Sequence, residues 1–183
     1  YDPFRSGVGF GGATTQGGSP ITQLRASNAI SYQTRNCYTY ECRGFWLQAM
    51  YALGENTSQS PNPDDGDVAG LRVGYGGANW NVMAVQTRTR NLSVREFRQT
   101  VGGGSWDLGV ARLLLLGGEH RTDKPVASLA GATRSPFWQI GAFINVGPGY
   151  IPVAVTQVRR NDAQDSRAEK YAIGYVYYLS KRT

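Results

Sequence analysis

From about residue 21 onward, apolar and polar positions alternate with a period of two, in short segments separated by turn residues. Phe45, Leu47, Ala49, Tyr51 and Leu53 form one face of such a segment, and Trp46, Gln48, Met50 and Ala52 form the other. Ala69, Leu71, Val73 and Tyr75 oppose Gly70, Arg72 and Gly74. Trp138, Ile140, Ala142 and Ile144 oppose Phe137, Gln139, Gly141, Phe143 and Asn145. Ile151, Val153 and Val155 stand against Pro152, Ala154 and Thr156, and Tyr171, Ile173, Tyr175 and Tyr177 against Ala172, Gly174, Val176 and Tyr178. One face is large and apolar, the other small or polar, as in a sheet whose two sides meet different surroundings. Residues 80–90 alternate poorly, and residues 96–106 carry the bland run Gly102-Gly103-Gly104; both are read as strands from their context. The class is all-β, with about nine strands.

The connectors extend the pattern. Gly76–Asn79, Asp107–Gly109 and Gly147–Gly149 are short, whereas residues 55–67, 91–95, 122–134 and 161–168 are longer and polar. Short and long alternate along the chain. Nothing in a soluble β-sandwich demands that, but a barrel in an outer membrane has short periplasmic turns and long extracellular loops. Phe45, Tyr51, Tyr75, Trp80, Trp106, Trp138, Tyr150, Tyr171 and Tyr177 sit near strand ends. Any sheet pairs aromatics across strands, but their repetition at the ends fits two interfacial girdles. Unpaired backbone groups in lipid cost several kcal/mol each, so such a sheet must close. Bacterial single-chain barrels have even strand counts. Nine strands, and a start at Tyr1 without an initiating Met or signal peptide, therefore read as part of a longer barrel.

Composition narrows the function. The chain has 24 Gly, 11 Tyr and 4 Trp, which suits strands and turns better than helices. Its formal charge is +6, and every basic residue except Lys124, Lys170 and Lys181 is arginine. These arginines are scattered singly rather than gathered on a stripe, so a nucleic-acid module is not indicated. Permanent, fixed charge suits a polar wall. The longest apolar run, Leu113–Leu116, is far too short for a transmembrane helix. One histidine, no nucleophile elbow and no paired carboxylates on a strand face leave no enzyme constellation. Asn62–Asp67 lacks the spacing and terminal Glu of a calcium loop and reads as solvated loop. No cofactor or metal is called for.

Candidate site residues follow from strand parity. Arg72 shares a face with Gly70 and Gly74, Arg112 opposes Ala111 and Leu113, and Arg160 falls on the face of Thr156 and Val158. An arginine on the lipid side near the midplane costs about 2–4 kcal/mol, so all three are expected to line the interior. Cys37 and Cys42 lie in a predicted periplasmic turn, an oxidising compartment that favours a disulfide over two free thiols. A metal site would need more ligands, and His120 is distant in sequence.

Four stretches carry a resemblance to a known family. Tyr177–Thr183, preceded by Ile173–Val176, resembles the C-terminal signature of the trimeric porins of β-proteobacteria. Asn28–Tyr32 is similar to the strand after their constriction loop, Ser105–Ala111 to one of their periplasmic turns, and Tyr1–Phe4 to the second half of the loop itself. The turn from Asn36 to Arg43 and the Gly102–Gly104 run depart from the family pattern. The resemblance implies a 16-stranded antiparallel transmembrane barrel. Residues 1–20 would belong to the constriction loop, and residues 21–183 to about nine strands, the sixth through the fourteenth.

The resemblance also implies roles. Arg25, on the face of Ser27, Ala29, Ser31 and Gln33, corresponds to a basic cluster on the constriction wall. Asp2 and Arg5 would lie on the loop opposite, where an acidic residue facing a basic wall creates a transverse field. The implied protein is an outer-membrane homotrimer in contact with lipid and lipopolysaccharide. It would pass small hydrophilic solutes and ions by passive diffusion, with a preference for anions. The competing reading is a non-channel outer-membrane barrel with an adhesive or structural role. Gly, Ser, Gln, Asn and Arg on the inward face favour the channel; Trp46, Met50, Phe137 and Phe143 do not.

Overall fold

The computed structural model describes residues 28–35, 42–56, 61–125 and 133–179. Within them the chain forms strands β1 (Ala29–Gln33), β2 (Gly44–Ala52), β3 (Val68–Gly76), β4 (Trp80–Asn91), β5 (Arg95–Asp107), β6 (Ala111–Thr122), β7 (Arg134–Val146), β8 (Gly149–Arg159), β9 (Arg167–Ile173) and β10 (Val176–Tyr177). All pairings are antiparallel between chain neighbours, in one sheet running β1 to β8, with β9 and β10 both paired to β8. β9 and β10 are two parts of one strand. Across the break the Gly174 N–H donates to the Pro152 carbonyl at 3.0 Å, and pairing resumes at Val176 and Tyr177. Counted so, the described sheet has the nine strands that the alternation predicts.

The two poorly alternating segments are the long, unbroken strands β4 and β5, of 12 and 13 residues. Their pairing runs without interruption from Trp80↔Trp106 to Asn91↔Arg95, straight through Gly102–Gly104. That long ladder corrects one expectation. The connection between β4 and β5, read as one of the longer loops, is only residues 92–94. Asn91 turns the chain by accepting the Ser93 N–H on its side chain at 3.0 Å, and Arg95 takes a positive φ of 68°. From β2 onward, short and long connections therefore alternate at every step but this one.

The short turns at the other end are residues 77–79, 108–110 and 147–148. Gly109 has φ of 82°, a left-handed conformation that glycine adopts without a Cβ clash, and its N–H donates to the Asp107 carboxylate at 2.8 Å.

Register separates the two faces cleanly. One row runs Gln48, Arg72, Val85, Val101, Gly118, Phe137 and Val158. Of this row, Val101, Phe137 and Val158 form the buried cluster, with Val85 and Leu116 against it. The opposite face carries Leu71, Val82, Leu113, Leu115, Ile140 and Ile173, all exposed. A face this apolar needs a cover other than water, and lipid supplies one. The buried-cluster side is therefore the inward face. Phe45, Tyr51, Tyr75, Trp80, Trp106, Trp138, Tyr171 and Tyr177 lie on the outward face as the girdle requires. Tyr150 does not: it pairs with Asn145 on the inward side and meets Phe143 edge-on at 5.2 Å.

Candidate pore wall

Glycine decides how the inward face is surfaced. Trp46 on β2 is the register partner of Gly74 on β3, and only 3% of it is exposed. A Cβ placed on Gly74 would fall 2.2 Å from Trp46 Cζ2 and 2.5 Å from Cε2. The indole therefore lies flat along the wall over a residue without a side chain. Phe137 does the same on β7, where a Cβ on its partner Gly118 would be 3.2 Å from the Phe137 ring. His120 stacks between Phe97 and Phe137, with ring centroids 5.6 and 5.1 Å apart. The large inward side chains thus hide their area against the wall instead of projecting across the interior.

Charge on this face is one-sided. Among the described residues, the inward strand positions carry Arg72, Arg95, Arg112 and Lys170 against one carboxylate, Asp107. Arg72 sits midway along β3 with its guanidinium 4.9 Å from the centroid of the Trp46 ring, a cation–π contact that leaves the charge in place. Arg112 forms an ion pair with its register partner Asp107 at the short-turn end. Lys170 faces Thr156 on β8. Arg160 follows the last residue of β8, where its N–H donates to the Ser166 carbonyl at 2.9 Å.

The three arginines expected to line the interior stand at separate places. Arg72 is at mid-wall, Arg112 at the short-turn end with its charge already countered, and Arg160 at the long-loop end of β8. They do not form a cluster. Arg25, Asp2 and Arg5 lie outside the described residues, as does the 1–20 segment. Cys42 is disulfide-bonded; Cys37 lies outside the described residues. The carbonyl of Cys42 accepts a hydrogen bond from the buried Asn81 side chain at 3.0 Å, which ties the segment before β2 to the inward face of β4.

Two features escaped sequence reading. Lys170 was overlooked, although its parity with Ala172 and Gly174 puts it on the small-residue face. The second is on the outward face. Arg88, Arg98, Arg121 and Arg134 are successive register partners on β4 to β7, at the end opposite the short turns.

The loop after β8 is held by Asp162, whose carboxylate accepts the N–H groups of Gln164 at 3.2 Å and Ser166 at 2.8 Å. The Ser166 side chain foremost, then these amides and the charge of Arg160, hold the Asp162 carboxyl below the usual carboxylate range.

The comparisons with known proteins agree with this geometry. A family model described as Gram-negative porin matches residues 1–183. No curated protein matches the chain. Among solved structures, an anion-selective porin from Comamonas acidovorans is similar with a TM-score of 0.66 at 26% identity, over 85% of this chain and 46% of the other. A porin refined at 1.8 Å resolution aligns with a TM-score of 0.65 at 14% identity, over 87% of this chain and 55% of that one. OmpF of Salmonella typhi, in complex with daunomycin, aligns with a TM-score of 0.59 at 16% identity, over 84% and 51%. The last two speak for the fold alone. The chain spans about half the length of the solved porins it matches.

Proposed function

This chain belongs to the Gram-negative porins of the bacterial outer membrane, and from that premise we propose that the parent protein is a passive diffusion channel for small hydrophilic solutes and ions, with a preference for anions. The charge balance of the inward face carries the reading: among the described strand positions Arg72, Arg95, Arg112 and Lys170 face the interior against Asp107. A unit charge about 4 Å from a passing ion is worth about 1 kcal/mol at the dielectric of water and about 4 kcal/mol at an effective value of 20. A narrow aqueous lumen lies between those limits, so one arginine shifts anion occupancy several-fold. The anion selectivity in the name of the Comamonas acidovorans porin supports the same sign. Arg25, with Asp2 and Arg5 opposite, is proposed to complete the constriction, Cys37 to pair with Cys42, and three copies of the parent to assemble.

Liposome swelling tests both halves of this reading. Vesicles carrying the full-length parent are placed in isotonic solutions of a neutral, an anionic and a cationic solute of similar size. The anionic solute is expected to enter fastest. Equal rates remove the anion preference and leave the channel; no swelling by any solute removes the channel and favours the structural barrel.

A further inference from the structure

Three aromatic side chains gather on the inward face at the short-turn end, where no lipid interface calls for them. Tyr150 pairs with Asn145, and Phe143 meets its ring edge-on with centroids 5.2 Å apart. Tyr178 shares the parity of Val176, the register partner of Tyr150, and its ring centroid stands 6.0 Å from that of Tyr150. The Tyr178 N–H donates to the Pro148 carbonyl at 3.2 Å, which fixes the third ring beside the turn before β8. Unlike Trp46 and Phe137, these rings are not hidden: Phe143 and Tyr150 are half-buried, and Tyr178 is 59% exposed. On the next inward row, β7, β8 and β9 carry only Gly141, Ala154 and Ala172. Apolar ring area therefore faces the interior with nothing larger than a methyl group above it on these strands.

A charged pair adjoins the patch. Arg112 is the register partner of Phe143 on one side and of Asp107 on the other, and it forms an ion pair with Asp107. Both charged side chains can be reached, with 20% of Arg112 and 38% of Asp107 exposed. Both line a cavity of about 540 Å³, together with Asn79 and Ser105. The pair has no net charge. An anion placed beside Arg112 meets Asp107 as well, and a cation beside Asp107 meets Arg112, so either charge alone gains little. A solute that carries both charges on neighbouring groups sets its carboxylate against the guanidinium and its ammonium against the carboxylate. It completes an alternating square that leaves the pair intact. Neighbouring strands are about 4.8 Å apart, so an aromatic ring one methylene away from such a head group reaches Phe143.

We propose that the Arg112–Asp107 pair and the Phe143–Tyr150–Tyr178 patch form a transient binding site for aromatic zwitterions, α-amino acids with an aromatic side chain, at the short-turn mouth of the interior. Charge-assisted hydrogen bonds hold the head group, and edge-to-face and offset contacts hold the ring. The inference deepens the channel reading and rests on it for one point, that the inward face borders water through which solutes pass.

The test titrates the full-length parent in detergent micelles with phenylalanine, alanine, phenylpropionate and phenethylamine, each followed by broadening of the solute's own proton resonances. Phenylalanine should bind about ten-fold more tightly than alanine, the effect of two ring contacts. Phenylpropionate lacks the ammonium and phenethylamine the carboxylate, and each should bind about two- to five-fold more weakly than phenylalanine. Phe143→Leu and Tyr178→Leu keep apolar bulk but remove a ring. Each should weaken phenylalanine about two- to twelve-fold and leave alanine as it was. Phenylalanine binding no more tightly than alanine would overturn the proposal, as would either singly charged solute matching phenylalanine. Variants at these two positions that keep full affinity for phenylalanine would overturn it too, by placing the ring elsewhere. If a variant does not fold, the order of the four solutes on the wild type decides. Conductance of the same protein separates this inference from the channel: a conducting wild type without the expected order sinks the inference alone, and a non-conducting wild type that shows the order sinks the channel reading.

Discussion

Replacing Gly74 with alanine inserts one methyl group beneath the Trp46 ring. The new Cβ would stand 2.2 Å from Cζ2 and 2.5 Å from Cε2 of the indole, and 2.8 Å from the backbone carbonyl of Val82. The carbonyl is fixed in the β3–β4 ladder, so the ring must lift. A buried tryptophan hides about 150–250 Å², worth about 4–6 kcal/mol at about 25 cal/mol per Å². Losing contact on one face forfeits about half, and inserting a methylene into a packed site costs a similar 1–3 kcal/mol. A loss of about 2–3 kcal/mol is therefore expected, with weakening of the Arg72–Trp46 contact. Gly70→Ala is the matched control on the same strand and face. Its Cβ would meet Thr87 Cγ2 at 3.4 Å and Met50 Cε at 3.9 Å, which is ordinary contact. Urea unfolding of the full-length parent in micelles gives the stability, and tryptophan emission should shift to longer wavelength as the ring turns into water. Equal midpoints for the two variants and unchanged emission would refute the flat-lying ring.

Arg72→Gln should lower the anion-to-cation permeability ratio several-fold, read from single-channel currents in a salt gradient, whereas Arg112→Gln should change it little because Asp107 already counters that charge. The Asp162 carboxyl has a lowered pKa in the folded loop, so its contribution is complete above the usual carboxylate value of about 4 and is lost as pH falls through the folded value. Protection of the Gln164 and Ser166 amides, taken relative to their intrinsic exchange, should therefore fall as pH drops below about 4, and Asp162→Asn should abolish that dependence. With Cys37 and Cys42 paired, the non-reduced parent should take up no thiol reagent; reduction should lower stability by about 2 kcal/mol on the chain-entropy estimate for so short a loop.

Strand identity was legible wherever side-chain size alternated strictly, as over 45–53, 69–75 and 137–145. β4 and β5 were obscure because Met83, Val85, Phe97 and Val101 put apolar side chains on the inward face while Gly102 and Gly104 thin out the lipid face. Their strand state is settled by the two ladders on either side of each, which a single segment does not reveal. The 91–95 connector looked long because Asn91, Ser93 and Arg95 are polar, yet these residues complete a tight turn. Parity alone gave the inward direction of Arg72 and Arg112. It could not show that Arg112 faces Asp107, or that Trp46 lies on Gly74, because both depend on register between strands. The outward arginines are the clearest case: residues 88, 98, 121 and 134 have no common spacing and meet only through three successive register offsets.

Whether the channel wall favours anions is decided by the reversal potential of the full-length parent in a planar bilayer under a potassium chloride gradient. Open channels are expected to show a reversal potential on the chloride side of zero, moved toward zero by Arg72→Gln. A reversal potential on the potassium side would contradict it, because the described wall carries Arg72, Arg95, Arg112 and Lys170 against Asp107 alone.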